Sequence, residues 1–475
     1  MIEDLKPYPQ YKDSGLAWLG KVPAHWGIAR SKRLFRQRKE FAQSDDQQLS
    51  ATQAFGVIPQ ALYEQRTGYR VVKISMHLNK RKHVQADDFV ISMRSFQGGL
   101  ERAWAAGAIR SSYVVLEPGA EVSAGYFQHL FKSHQYINAL RATSDFIRDG
   151  QDLNFGNFCG VDLPLIPLQE QAAIARFLAW ATNRLDRAIG AKRRIIALLQ
   201  EQKQAIIQRA VTRGLDPAVP LKDSGIPWLG EIPEHWEVLA LKRVLSSLVD
   251  CEHKTAPFVQ QSDYRVVRTS AVRNGLLRWD GTYCTSAKAF TEWTQRAVPE
   301  AGDVIFTREA PAGEACIIPE GAKVCLGQRT VLMKPQRAIY ANQFLVHMIY
   351  AGPPRHLIEL TCQGSTVSHF NMDDIGWMKV LAPPLSEQIE IVAKVAELTE
   401  APSLAIDKTE REITLLREYR TRLIADVVTG KLDVREVAAG LPEEELQEQP
   451  DVAAIYDADK AEDDAESDLI DTADD

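Results

Sequence analysis

Between Leu168 and Thr212 apolar residues recur at heptad spacing. One seam position holds Leu178, Leu185, Lys192, Leu199 and Ile206; the other holds Thr182, Ile189, Ile196, Lys203 and Ala210. The rhythm returns 217 residues later as Val395, Pro402, Thr409, Leu416 and Leu423, with Thr399, Ile406, Ile413, Arg420 and Val427. Apolar seams with charges between them predict coiled-coil helices. Lys203 and Arg420 put a base at the same seam position in both, where a long stem can lie on apolar surface. Pro-Leu-Gln-Glu-Gln at 167–171 and Pro-Leu-Ser-Glu-Gln at 384–388 mark helix starts, with acidic residues suited to the first turn. Arg213-Gly214 and Gly430-Lys431 supply stops. A single helix over 168–212 would run about 68 Å and could not bury its stripe alone. Its duplicate, packed antiparallel, is the expected partner; docking of each stripe on its own globular domain is the competing arrangement. The packing residues are then Leu178, Leu185, Ile189, Ile196, Leu199, Ile206, Ile406, Ile413, Leu416 and Leu423. Pro402, with no N–H to donate, is expected to kink or break the second helix near Ala401.

Outside these helices the pattern shortens to strands: Tyr69–Ser75, Phe89–Met93, Tyr113–Leu116, Tyr264–Thr269, Asp303–Thr307 and Thr330–Met333, punctuated by Gly and Pro. The chain is also duplicated. KDSGLAWLGKVPAHW at 12–26 matches KDSGIPWLGEIPEHW at 222–236 in ten of fifteen positions, and PLQEQAAIARFL from Pro167 matches PLSEQIEIVAKV from Pro384. Between them the match is patchy, although Asp88-Phe-Val-Ile91 pairs with Asp303-Val-Ile-Phe306. Matching ends around a rewritten middle imply one frame presenting two different binding surfaces. The expected architecture is α/β (mixed α+β), with a pseudo-twofold internal repeat. Its parts are a globular domain at 1–166, a spacer helix at 167–213, a second domain at 214–382, a second spacer helix at 383–432 and an acidic tail at 433–475.

Charge changes the picture next. The 475 residues carry a formal −7, which disfavours a nucleic-acid binder. From Leu441 to Asp475, however, there are fifteen Asp/Glu and one Lys, so the preceding 440 residues stand at +7. The tail has no apolar period and is excluded from the fold. Its plain reading is solubilising; the sharper one is a DNA-mimicking or self-screening arm. The six cysteines form no Cys-x-x-Cys pair, and their spacing suggests neither zinc nor a disulfide framework. The opening MIEDLKPYPQ has no apolar signal region, and no apolar run reaches membrane length, so a cytoplasmic location is expected.

Catalytic signatures are nearly absent. There is no phosphate-binding G-x-x-x-x-G-K-[ST], no G-x-G-x-x-G after a strand, no Asn-Pro-Pro-aromatic and no H-E-x-x-H. Asp250-Cys-Glu-His-Lys254 faintly suggests part of a metal-nuclease site, but it lacks a suitably spaced Pro-Asp and has no counterpart in the first copy. His25 and His235, each between Pro and Trp, read as structural. The middles offer groups suited to DNA: Lys73, Arg94, Ser95, Gln97 and Arg102 in the first, and Arg268, Arg273, Arg308, Gln328 and Arg329 in the second. Arg110 lies in a similar place. Arg can chelate guanine O6/N7 and Gln can pair with adenine N6/N7, and the neighbouring glycines allow close backbone approach. No metal site is expected.

The twice-present KDSGxxWLGxxPxHW and PLxEQ resemble the frame of type I restriction-modification specificity subunits over about residues 10–435. Asp250-Cys-Glu-His-Lys-Thr-Ala-Pro257 resembles the opening of that family's target-recognition domains. Gly364-Ser-Thr-Val-Ser-His369, running into Ala382-Pro-Pro-Leu-Ser-Glu-Gln388, resembles their close. The long acidic tail and Pro402 depart from the family. The resemblance implies a non-catalytic host-defence subunit with two target-recognition domains, each reading half of a bipartite double-stranded DNA target. The helices would set the spacing and dock two modification (methyltransferase) subunits. S-adenosylmethionine, ATP and Mg²⁺ would then belong to partner modification and restriction/translocase subunits, with no cofactor on this chain. The alternatives are a self-contained nuclease or methyltransferase, or a coiled-coil scaffold without a DNA role.

Overall fold

The computed structural model describes residues 5–71, 80–93, 95–143, 153–363 and 369–442. The chain divides into two compact units, 1–194 with 409–475, and 195–408. The predicted long helices are Leu168–Arg213 and Leu385–Val428, of 46 and 44 residues. Each unit takes the start of one and the end of the other.

In the first unit the helices run antiparallel. Lys192 pairs with Glu412 at 2.5 Å, and Asp186 with Arg420 at 3.3 Å, so numbers rise on one helix as they fall on the other. Leu178, Leu185, Ile189, Ile413 and Leu423 are buried there, and Leu416 is half-buried. The seam base Arg420 meets the buried carboxylate of Asp186. In the second unit Ile406 and Val395 are buried, and Ile196, Leu199, Ile206 and Lys203 are half-buried.

Pro402 does not break its helix. Proline removes one i→i−4 bond, at a cost of about 3 kcal/mol, but the turns on either side stay anchored. Val395 and Ile406 are buried on one face. The Thr399 hydroxyl donates to the Val395 carbonyl at 2.7 Å, and the Ser403 hydroxyl to the Thr399 carbonyl at 2.6 Å.

The two units repeat one topology despite their divergent middles. Each has a four-stranded antiparallel sheet. In the first, the spatial order is Phe35–Arg38, Val114–Pro118, Phe89–Ile91, Glu101–Arg102. In the second it is Leu245–Asp250, Thr330–Pro335, Val304–Thr307, Ala315–Ile317. A two-stranded ribbon closes each unit at its base. Gly27–Ala29 pairs with Leu163–Leu165, and Glu237–Ala240 with Lys379–Ala382. The ribbon ties the segment after the opening motif to the segment before the long helix. The second unit adds a three-stranded sheet in which Tyr264–Val267 lies between Thr282–Thr285 and Lys323–Leu326. Of the first-copy segment Tyr69–Ser75, residues 72–75 lie outside the described residues.

Buried aspartates hold the two sheets alike. Asp88 accepts from the Gln85 amide at 2.8 Å and from Arg38 Nε at 2.7 Å. Asp303 accepts from the Glu300 amide at 2.9 Å and pairs with Lys334 at 3.0 Å. The first unit's core gathers Trp26, Phe35, Phe89, Phe127, Phe131 and Phe158 against the long helices; the second gathers Trp236, Phe306, Tyr340, Phe344 and Ile391. The fold also runs past residue 433, where the sequence reading began the tail. Helix Arg435–Ala439 follows a backbone bond from Asp433 N to Lys6 O, and Val434, Ala438 and Leu441 are buried in the first core. The acidic run from Glu443 lies outside the described residues. Among the described residues no helix is long and apolar enough to cross a membrane, and Cys159, Cys251, Cys284, Cys316 and Cys325 are free.

Candidate nucleic-acid interface

The repeated KDSG motif is a hairpin. Tyr11–Asp13 pairs with Lys21–Pro23, and Leu221–Asp223 with Glu231–Pro233. The Asp13 carboxylate accepts from the Gly15 amide at 2.8 Å, and that of Asp223 from Gly225 at 2.9 Å, the Asx-type bond that favours a turn. The hairpin delivers His and Trp to the glutamate of PLxEQ. Glu170 accepts from Trp26 Nε1 at 2.9 Å and Tyr8 Oη at 2.7 Å, with His25 Nε2 at 2.7 Å. Glu387 accepts from Trp236 Nε1 at 3.0 Å, with His235 Nε2 at 2.7 Å. Both histidines thus bond the first turn of a long helix, in the structural role expected of them. The glutamates do more than favour that turn electrostatically: they bind the opening motif to the closing one.

The following glutamine closes the frame. Gln171 accepts from the Ser123 amide and donates to the carbonyls of Glu121 and Ile166, each at 2.8 Å. Gln388 accepts from the Ala341 amide at 2.8 Å and donates to Ile339 and Pro383, both at 2.9 Å. Ser123 and Ala341 immediately precede helices Ala124–Leu130 and Asn342–Ala351. The helix ends are matched as well. Gly430 has φ +76°, and a Cβ there would lie 2.5 Å from Pro23 Cδ and 2.9 Å from Trp26. Gly214 has φ +74° and sits against Trp236 and Glu387 in the second unit.

Those two short helices carry His129 and His347, a pair the sequence reading passed over. Burial pushes each imidazole down to about 4; for His129, the Arg420 and Arg102 charges add to the effect. Such a group favours the fold when neutral. Its contribution is complete above the free value of about 6.5 and is lost as the pH falls through that value toward 4. Unfolding measured from pH 7 to 4 is expected to show each unit losing about 1–2 kcal/mol from its histidine, after allowance for partial exposure. His129→Gln and His347→Gln should flatten that loss; an unchanged slope in both variants would contradict the assignment.

The DNA candidates fall into four groups. Lys73 and Arg94 lie outside the described residues. Ser95, Arg102 and Arg308 are buried and engaged. Ser95 Oγ accepts from the Ser92 amide at 2.9 Å. Arg102 pairs with Asp87 at 2.6 Å and lies over the Trp104 ring at 4.3 Å. Arg308 Nη1 donates to both Asp250 carboxylate oxygens at 2.9 Å. Arg273 is half-buried, with Nη1 on the Thr269 and Val272 carbonyls. Gln97, Arg268, Gln328 and Arg329 are exposed.

In the second unit the fold brings four candidates together. The Gly327 amide donates to Val267 O at 2.9 Å, which places Gln328 and Arg329 beside Arg268, and the Arg308 amide donates to Arg329 O at 2.9 Å. A Cβ on Gly327 would lie 2.6 Å from Val267 O and 3.3 Å from Arg268 Cα, so the close approach requires glycine. Arg329 itself has φ +70°, an uncommon conformation for a residue with a side chain. In the suggested nuclease stretch, Asp250 is held by Arg308 and Glu252 pairs with Arg296 at 3.3 Å. Among the described residues no group of three His, Cys, Asp or Glu is placed to hold a metal.

Residues 233–414, spanning the second unit's frame and sheet, match the type I restriction modification DNA specificity domain. Over these residues the chain is similar to the specificity domain of type I restriction-modification systems. Similar proteins include one described as the type I restriction enzyme MjaX specificity subunit of Methanocaldococcus jannaschii, 23% identical over 321 residues, covering 65% of this chain and 68% of that protein. The type I restriction enzyme MjaVIII specificity subunit of that organism is 23% identical over 290 residues, covering 58% and 64%. The type I restriction enzyme EcoKI specificity subunit of Escherichia coli K12 is 22% identical over 331 residues, covering 67% and 68%. The chain thus spans about two thirds of the length of these curated relatives. A chain solved in a structural study of type I R-M complex assembly and conformational transition shares the fold. It has a TM-score of 0.56 at 16% identity, covering 86% of this chain and 99% of that one.

Proposed function

We propose that this chain is a type I restriction-modification specificity subunit that reads DNA without catalysing a reaction. Each unit addresses one half of a bipartite target, and the long helices fix the spacing and dock modification subunits. The observation that carries this reading is the repeated Glu–Gln clamp. The same frame, built from identical residues, recurs in each unit and holds a sheet of the same topology, while the loops differ in sequence. A frame kept constant around changed loops suits two recognition surfaces. The exposed Gln97, Arg268, Gln328 and Arg329 are the groups assigned to DNA; Arg102 and Arg308 support the loops from inside. S-adenosylmethionine, ATP and Mg²⁺ belong to the partner subunits in this scheme.

The test is a domain exchange. Residues 30–165 are replaced by the equivalent segment of another specificity subunit, and methylated adenines are mapped with the modification subunit present. One half of the methylated sequence is expected to change while the other persists. An unchanged target would sink the reading, as would cleavage or methyl transfer by the purified chain alone. Binding should also weaken steeply with salt through counterion release.

A further inference from the structure

A phenylalanine side chain has no polar group to satisfy in water, yet each unit holds one there. Phe41 is 65% exposed and Phe258 is 69% exposed, the highest values for any aromatic side chain among the described residues. Their places in the fold correspond. Each follows the strand at one edge of its unit's four-stranded sheet, Phe35–Arg38 in the first and Leu245–Asp250 in the second. Neither ring hangs on a free loop tip. The Ala42 amide donates to Arg81 O at 2.9 Å and the His83 amide to Glu40 O at 3.0 Å, which fixes the backbone on both sides of Phe41. The Val259 amide donates to Cys284 O at 3.0 Å and Thr285 Oγ1 to Pro257 O at 2.7 Å, which fixes Phe258 in the same way. A fixed mount that keeps an apolar ring in water forgoes the gain of burial. Its recurrence in both copies, where the surrounding sequence has diverged, marks the ring as a contact surface.

The surroundings of both rings are basic. The Phe258 ring centre stands 6.4 Å from that of Tyr283, and the Arg268 guanidinium lies 5.9 Å from the same Tyr283 ring. Phe258 is thus one ring away from a cation assigned to DNA. In the first unit Phe41 bridges to Lys82 through the backbone, and the exposed Lys39 and Lys80 lie two residues from either partner of that bridge. An apolar ring beside cations suits a polyanion whose charges flank apolar faces: phosphates for the cations, a base step for the ring. We propose that Phe41 and Phe258 are wedges, one per unit, that enter between adjacent base pairs of each half of the target and unstack them. The proposal rests on the DNA-reading function and adds a mode of contact to it. Each half-site is then selected in part by how easily one step opens, which favours a pyrimidine–purine step at the wedge.

Base-unstacking fluorescence tests it. The full chain, in complex with modification subunits, is bound to a duplex of its mapped target. The duplex carries 2-aminopurine, which brightens on unstacking, in turn at each step that does not adjoin a methylated adenine. A rise is expected at one step in each half. Phe258→Ala should abolish it in one half and Phe41→Ala in the other, each with binding about tenfold weaker. The salt slope should stay unchanged, because no phosphate contact is lost. Phe258→Leu should recover part of both signals, since leucine also serves as a wedge. Thermal unfolding should not move, because both rings are exposed. A rise that survives both alanine variants, or binding undiminished in both, would overturn the wedges and leave the DNA function standing. A wild-type complex that bound no duplex would remove that function itself. Alanine variants that lost modification subunit instead of DNA would assign the rings to a protein partner and overturn the proposal as well.

Discussion

Glu170→Ala is expected to destabilise the first unit by about 3–5 kcal/mol, the largest loss predicted for any single side chain here. Glu170 is 5% exposed and its two oxygens serve Trp26 Nε1, Tyr8 Oη and His25 Nε2. Removing the carboxylate leaves the fully buried Trp26 without its indole acceptor and strands the Tyr8 hydroxyl in the core. It also frees the N-terminal segment, whose Lys6 carbonyl accepts from Asp433. Glu387→Ala in the second unit should cost less, about 2 kcal/mol, because that carboxylate has two such partners and is 24% exposed. Urea unfolding of the full chain followed by tryptophan fluorescence should therefore show the two variants weakening different transitions by unequal amounts. A loss below 1 kcal/mol for Glu170→Ala would mean that the clamp does not hold the frame.

This asymmetry bears on what the sequence could reveal. The frame was legible because its chemistry is written twice. Trp26/Trp236, His25/His235 and the Glu-Gln of PLxEQ recur at nearly constant offsets, and heptad spacing marked both long helices. What the clamp does was not legible, because sequence spacing does not say that Glu170 and Trp26, 144 residues apart, share a hydrogen bond. The shared four-stranded sheet was hidden for another reason. Its core positions tolerate exchange among apolar residues, so Phe35 and Leu245 begin equivalent strands without a residue match. The pair His129 and His347 carried a detectable signal, their recurrence at an offset of 218, but it lay in a stretch with few other identities. Pro402 misled because propensity describes an isolated helix, whereas burial on the seam decides this one. Among the DNA candidates, residue type found arginines but could not separate Arg308, turned inward to Asp250, from Arg329, which is exposed.

That distinction gives the second large effect. Under the proposed function, Arg329→Gly should weaken specific DNA binding by about 10- to 100-fold, the range of one good base contact, while stability stays within about 1 kcal/mol. The backbone at φ +70° suits glycine at least as well as arginine, so relief of strain offsets the added freedom of the unfolded chain. The guanidinium has little internal work to do: it is exposed, and Glu309 stands 3.7 Å away. Arg308→Ala should behave differently. It removes a buried partner from Asp250 and is expected to lower stability by about 3 kcal/mol along with binding. Binding of matched and mismatched duplexes at several salt concentrations separates the possible roles of Arg329. Loss confined to one target position with an unchanged salt slope marks a base contact; uniform loss with a slope shallower by about one marks a phosphate contact. Undiminished binding in both measurements would remove Arg329 from the interface. Under the proposed function, a DNA contact would be the reason for holding a long cation in a backbone conformation that glycine adopts more readily.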